Sequence, residues 1–113
     1  MMPTTAIHIR RRTDRDRFEI ASDEELIGYL EHEDRGGIRA LTHTFVREAF
    51  RERGFAEQLV REVLDRTRAE GLSVDPVCPY VRDLISRAPE YLDLVPNEMR
   101  REYELPLDEP SVR

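Results

Sequence analysis

Between Val46 and Phe55 the apolar residues of this chain stop alternating and begin to recur with a helical period. That switch constrains the fold more than any other feature. Strict alternation marks a half-buried strand, and recurrence at about 3.6 residues marks an amphipathic helix. Upstream, Phe18, Ile20 and Ala21 open a first strand, Ser22–Glu25 reads as a turn, and Leu26–Glu33 reads as a second strand. The run Glu33–Gly37 is a hairpin loop whose two glycines tolerate positive φ, and Ile38–Val46 is a third strand rich in β-branched and aromatic residues. Downstream, Phe55, Leu59, Val60, Val63, Leu64 and Thr67 form one helical stripe, with Gly71 placed to end it. Leu72–Cys78 is a fourth strand, Pro79 opens a second helix over Tyr80–Arg87, and Pro89 stops it. Glu90–Val95 packs in a form the pattern does not define, and Asn97–Glu102 offers one turn of helix in a polar tail. The order β-β-β-α-β-α predicts an α+β, or mixed α/β, domain: an antiparallel meander followed by a β-α-β crossover and a second helix. Residues 17–95 form the expected domain. Residues 1–16, where Ile7 and Ile9 alternate with His8 and Arg10, are expected to be weakly ordered or an edge strand, and residues 96–113 a polar tail.

Composition sets the outer bounds. Leu, Ile, Val and Phe make up 29 of 113 residues, above the roughly 20% that separates folded from disordered chains. A net charge of −6 argues against a general nucleic-acid binder. All 18 basic residues are arginine, so lysine Schiff-base chemistry and a P-loop lysine are excluded. No stretch approaches the roughly 18–20 apolar residues of a membrane span, and no apolar segment follows the basic residues near Met1–Arg12, so neither membrane association nor a secretory leader is expected. The single cysteine, Cys78, forms no intrachain disulfide, and a reduced, cytoplasmic setting is expected. His8, His32 and His43 show no metal-ligand spacing, so no metal is expected. His8 and His32 read as surface residues, Tyr29 and Tyr91 as core or rim, and the Arg10–Arg17 cluster as a solvated face.

The chemistry lies where the third strand hands over to the helix, in Val46-Arg47-Glu48-Ala49-Phe50-Arg51-Glu52-Arg53-Gly54-Phe55-Ala56. A helix start presents unpaired N–H groups and a partial positive charge. Gly54 lets a ligand approach the backbone, Ala56 does not obstruct it, and Arg51 and Arg53 offer bidentate contacts to phosphate. A pyrophosphate is the natural guest, although the same residues also describe a solvated arginine-rich loop.

Arg51-x-x-Gly54-x-Ala56, after a strand ending at Val46 and before an amphipathic helix, resembles the (Q/R)-x-x-G-x-(G/A) motif of the GNAT acetyltransferases. With His43-Thr44-x-Val46, Pro76-Val77-Cys78-Pro79-Tyr80-Val81 and Pro89-Glu90-Tyr91, the chain is similar to a compact subfamily of small N-acetyltransferase-domain proteins over roughly residues 18–95. This subfamily lacks the helices between the first two strands of larger relatives, and the short Ser22–Glu25 turn matches that. Glu52 stands where a glycine is common, and Arg47 where a proline often follows the valine.

The resemblance implies a minimal GNAT fold and acetyl-CoA (coenzyme A) as acyl donor to an amine acceptor, in a monomer or homodimer. Thr44, Phe45 and Val46 would pair with the pantetheine arm between two splayed strands. Arg51, Glu52, Arg53, Gly54, Phe55 and Ala56 would surround the pyrophosphate. His43 is the implied base, since histidine ordinarily titrates at about 6.5; a packed strand histidine is the plainer reading. Cys78 is the residue usually suspected of catalysis, as acetyl carrier or general acid, and is otherwise a small buried apolar group. His43 and Cys78 are expected to face one another across the splay, with Tyr80 as reserve acid; an anchor of the second helix in the core is the plainer reading of Tyr80. The alternative functions are a non-catalytic CoA or acyl-CoA sensor and a ligand-free interaction module.

Overall fold

The structure, a computed structural model, describes residues 6–107 of the chain. Five strands form one sheet in chain order: β1 (Ile7–Arg12), β2 (Arg17–Ser22), β3 (Glu25–Arg35), β4 (Ile38–Val46) and β5 (Ser73–Asp75). The first four are antiparallel, and β5 lies parallel to β4. Helix α1 (Phe55–Ala69) makes the crossover, and α2 (Pro79–Arg87), a 3-10 segment (Pro89–Leu94) and α3 (Asn97–Glu102) follow. The fold is therefore α+β with a mostly antiparallel sheet. The first two strands are β1 and β2, joined through a 3-10 turn at Thr13–Arg15 rather than through Ser22–Glu25. Among the described residues, no helix is long and apolar enough to cross a membrane.

The stripe on α1 is buried as its period demands: Leu59, Val60, Val63, Leu64 and Thr67 face the sheet. Leu59, Val60, Val63 and Leu64 pack in one core with Phe18, Ile20, Ile27, Leu30, Leu41 and Val74, and with Val81, Leu84 and Ile85 of α2. Each such side chain contributes about 1.5–3 kcal/mol on leaving water. Strand alternation directs Glu19, Tyr29, Glu31, His43 and Phe45 to the opposite face, away from α1.

Two boundaries differ from expectation. β3 runs on to Arg35, so the turn is only Gly36–Gly37, with φ of +52° and +83°. Positive φ at both central residues is the type I′ geometry that suits hairpin twist. The polar run stays in the strand because Asp34 turns inward to Arg39, its ladder partner. β5, expected over Leu72–Cys78, ends at Asp75, because Pro76 has no N–H to donate.

Buried charge accounts for two more corrections. Arg39 has no exposed side-chain surface; it bonds Asp34 (2.9 and 3.0 Å), Glu70 (2.9 Å) and Thr67 (3.1 Å), and its guanidinium lies 5.3 Å from the Phe18 ring centroid. His32 belongs to this cluster and is buried, not a surface residue. It packs 5.1 Å from Phe18, centroid to centroid, and its Nδ1 lies 3.0 Å from Asp34. Burial pushes its pKa down despite Asp34. On the other face, Arg10 and Arg17 converge on buried Glu19 (3.0 and 2.7 Å), with Arg12 at 3.5 Å. Burial alone would raise the Glu19 carboxyl, but the Arg17 and Arg10 bonds hold it below the usual range. These arginines therefore enclose a buried carboxylate; they are not merely a solvated face.

Candidate active site

The site is organised by the way β4 leaves its neighbours. On the β3 side, Leu41 pairs with His32 and His43 with Glu31, which leaves Thr42 as an extra residue. This is a β-bulge, and it turns Thr42 and His43, two consecutive exposed side chains, to the same face. The Thr42 hydroxyl donates to the Glu31 carbonyl at 3.1 Å. On the β5 side the parallel ladder covers only Ile38–Ala40. The Cys78 amide then donates to the Leu41 carbonyl at 2.8 Å, and beyond that bond the two chains part.

A groove of about 380 Å³ opens at this parting, lined by His43, Thr44, Phe45, Val46, Arg51, Ala56 and Tyr80. A second cavity of about 280 Å³ shares Val46, Arg51, Ala56 and Tyr80 with it and continues past Phe50, Glu52, Gly54, Phe55 and Glu57. One continuous cleft therefore runs from the edge of β4 to the first turn of α1. Gly54, at φ +83°, precedes that turn and provides no side-chain cap. Gln58 donates to the Gly54 carbonyl (3.0 Å), so the amides of Phe55, Ala56 and Glu57 precede the helical ladder. A Cβ built on Gly54 meets nothing within 4 Å, so the cradle is open.

The arginines of the loop have different roles. Arg51 donates to the Val46 carbonyl at 2.9 Å and so ties the loop to the end of β4. Arg47 donates to the Leu26 carbonyl at 2.8 Å. Arg53 lies over the Phe50 ring at 5.9 Å. Glu52 adopts φ +63°, left-handed backbone that a side chain disfavours and that glycine adopts readily.

Cys78 and Thr44 meet beneath the cleft, Sγ to Oγ1 at 3.4 Å, and Cys78 is only 5% exposed. Tyr80, in the first turn of α2, stands on the wall of both cavities, and burial pushes its phenol pKa up. The structure corrects the expected His43–Cys78 pair. His43 lies on the face of β4 opposite Thr44, 6.3 Å from the Tyr29 ring, so base and thiol do not face each other. The bulge at Thr42 carried no sequence signal strong enough to reveal this, since alternation continued through the segment. Tyr80 was legible from its place after Cys78-Pro79. Asp75, the last residue of β5, carries no motif that marks it in the sequence.

The sequence matches the family described as GCN5-related N-acetyl-transferase over residues 17–94. Among solved structures, the fold is similar to a GCN5-like putative N-acetyltransferase from Staphylococcus aureus, with a TM-score of 0.63 and 18% identity over 79% of this chain and 87% of that one. Lesser similarity extends to Ard1 from Thermoplasma volcanium (TM-score 0.48, 17% identity, 55% of this chain and 43% of that one). It also extends to N-acetylglutamate synthase from Neisseria gonorrhoeae, complexed with coenzyme A and N-acetyl-glutamate (TM-score 0.47, 15% identity, 87% and 26%). No curated protein matches the sequence.

Proposed function

The chain belongs to the GCN5-related N-acetyltransferase family, and from that premise we propose that it transfers an acetyl group from acetyl-CoA to an amine. The observation that carries this reading is the continuity of the cleft between the uncapped first turn of α1 and the unpaired edge of β4. The residues present fit the coenzyme: an open glycine cradle, helix-start amides and arginines suit a pyrophosphate, and a free strand edge suits the amides of a pantetheine arm. When bound, the coenzyme supplies an activated thioester.

The chain's own groups divide the remaining work. Amides of Phe55, Ala56 and Glu57, with Arg53 beside them, hold the diphosphate. Backbone groups of Thr44–Val46 align the arm, and Thr44 with Cys78 forms the floor below it. The cradle lies on the α1 side, so the acceptor approaches from the opposite face, where His43 is exposed at the bulge. There the imidazole accepts a proton from the acceptor nitrogen, while Tyr80, kept protonated by burial, donates to the departing sulfur. Positioning of the two reactants supplies much of the acceleration.

The test combines thiol release from acetyl-CoA across a panel of amines with melting temperature. Acetyl-CoA is expected to raise the melting temperature, and Tyr80→Phe and His43→Gln are each expected to lower kcat by about 10²-fold or more. Binding without thiol release would leave an acyl-CoA sensor; no binding at all would sink both readings.

A further inference from the structure

A separate groove lies on the face that His43 shares. Its volume is about 330 Å³, and Ile38, Ala40, Thr42, Val77 and Met99 form its apolar walls, with Asp75 among them. It begins at the parting of the strands, where Thr42 and Val77 flank Leu41 and Cys78, and it follows β4 back toward the hairpin. Val77 is 39% exposed there, one of the few large apolar side chains left open to water among the described residues.

The charges in this groove are unevenly matched. At the far end Glu33 and Arg35 pair with one another. Asp75, opposite Ala40 in the ladder, accepts a hydrogen bond from the Tyr103 phenol at 2.8 Å and has no ion-pair partner within 4 Å among the described residues. Burial, helped by Asp75, pushes that phenol up to about 12, so it remains a neutral donor. Arg82 stacks 4.7 Å from the Tyr103 ring and donates to the Val77 carbonyl at 3.1 Å. The groove thus presents methylene-sized apolar walls and one negative charge. Ala40, the ladder partner of Asp75, is two strand residues from Thr42, about 7 Å along the strand. With the strand spacing of about 4.8 Å, the diagonal to Asp75 is about 8 Å, within reach of an extended diamine of about four to five methylenes and its hydrogen bond.

We propose that this groove is the acceptor site and that it selects an α,ω-diamine, with one ammonium held at Asp75 and the other nitrogen delivered to the Thr42 end. The proposal rests on the acetyltransferase reading above. The delivered nitrogen, relieved of its proton by His43, forms the new N–C bond to the thioester carbonyl. The C–S bond breaks with its electron pair on sulfur, and sulfur takes a proton from Tyr80. Proton exchange with water restores both side chains. The aliphatic stem lies along Ile38, Ala40 and Val77, and the distal ammonium replaces water at Asp75.

The test compares 1,4-diaminobutane with 1-aminobutane as acceptors for the full chain, by thiol release from acetyl-CoA. The diamine is expected to have the higher kcat/KM by about tenfold or more, mostly through KM. In Asp75→Asn the two amines should converge to within about twofold, through a rise in KM for the diamine. Tyr103→Phe, which keeps the carboxylate, should retain the preference; it serves as the second variant if Asp75→Asn fails to fold. Equal kcat/KM for the two amines in the wild type overturns the diamine site and leaves acetyl transfer standing. Release with neither amine overturns it too, and if acetyl-CoA also fails to raise the melting temperature, the transferase reading falls with it.

Discussion

Replacing Arg39 with methionine removes a buried cation while keeping most of its apolar stem. Losing one member of a fully buried ion pair costs about 3–5 kcal/mol, because the partner is left uncompensated. The partners here are not fully buried: the Asp34 and Glu70 side chains are 32% and 40% exposed. Arg11 already reaches both, at 3.1 and 3.6 Å. Thr67 keeps a second bond, to the Val63 carbonyl at 2.7 Å. Water and Arg11 therefore recover part of the loss, and the expected cost is about 2–3 kcal/mol. With a urea dependence of about 1–3 kcal/mol per molar, the midpoint should fall by about 0.7–3 M at pH 7. The pH dependence separates electrostatics from packing. Hydrogen bonds from Arg39 come first among the causes that lower the pKa of both Asp34 and Glu70. A depressed carboxylate pKa stabilises the fold above the unfolded value, near 4, and that stability is lost as pH falls through the folded value. The gap between wild type and variant should consequently narrow as pH falls below about 4. Urea melts followed by circular dichroism at pH 7 and pH 3 measure both quantities. A cost under about 0.5 kcal/mol at pH 7, or the same gap at both pH values, would refute the reasoning.

Two further substitutions probe the cleft. Glu52→Gly relieves left-handed backbone at φ +63° and removes an acid beside the diphosphate cradle. It should stabilise the chain by up to about 1 kcal/mol in a thermal melt, and titration calorimetry should show tighter acetyl-CoA binding. Gly28→Ala does the reverse: its Cβ would lie 2.3 Å from the Phe45 carbonyl oxygen and 3.0 Å from the Val46 Cα. The end of β4 must shift, at a cost of about 1–3 kcal/mol in urea unfolding. Acetyl-CoA affinity should fall with it, and unchanged affinity would show that this edge does not hold the arm.

Much of the architecture was readable from spacing, and the exceptions have physical causes. The change of period at Val46–Phe55 identified β4, the loop and α1, because a buried stripe on a helix and a half-buried strand leave different traces. Pro76 signalled trouble in β5, but not that pairing stops at Asp75. The burial of His32 is not legible in the sequence because it depends on Asp34 and Arg39, residues whose polarity suggests a loop until they find each other. Arg10, Arg12 and Arg17 likewise suggest a wet surface, and only the register that sets Glu19 beside Arg10 shows what they enclose. At the site, the motif residues Arg51, Gly54 and Ala56 and the separately named Tyr80 all line the cleft. The facing of His43 depends on one inserted residue, and Asp75 gains its groove only through Met99 and Tyr103, more than twenty positions away.

That inserted residue sets the phase of the strand beyond it. With Thr42 in place, Thr44 turns inward to touch Cys78 while His43 and Phe45 turn outward. Regular pairing that kept Thr42 in the ladder would exchange the two sets, burying an imidazole and a phenyl ring against α1 and leaving the thiol without its hydroxyl neighbour. One residue left outside the ladder keeps the two faces of β4 as they are.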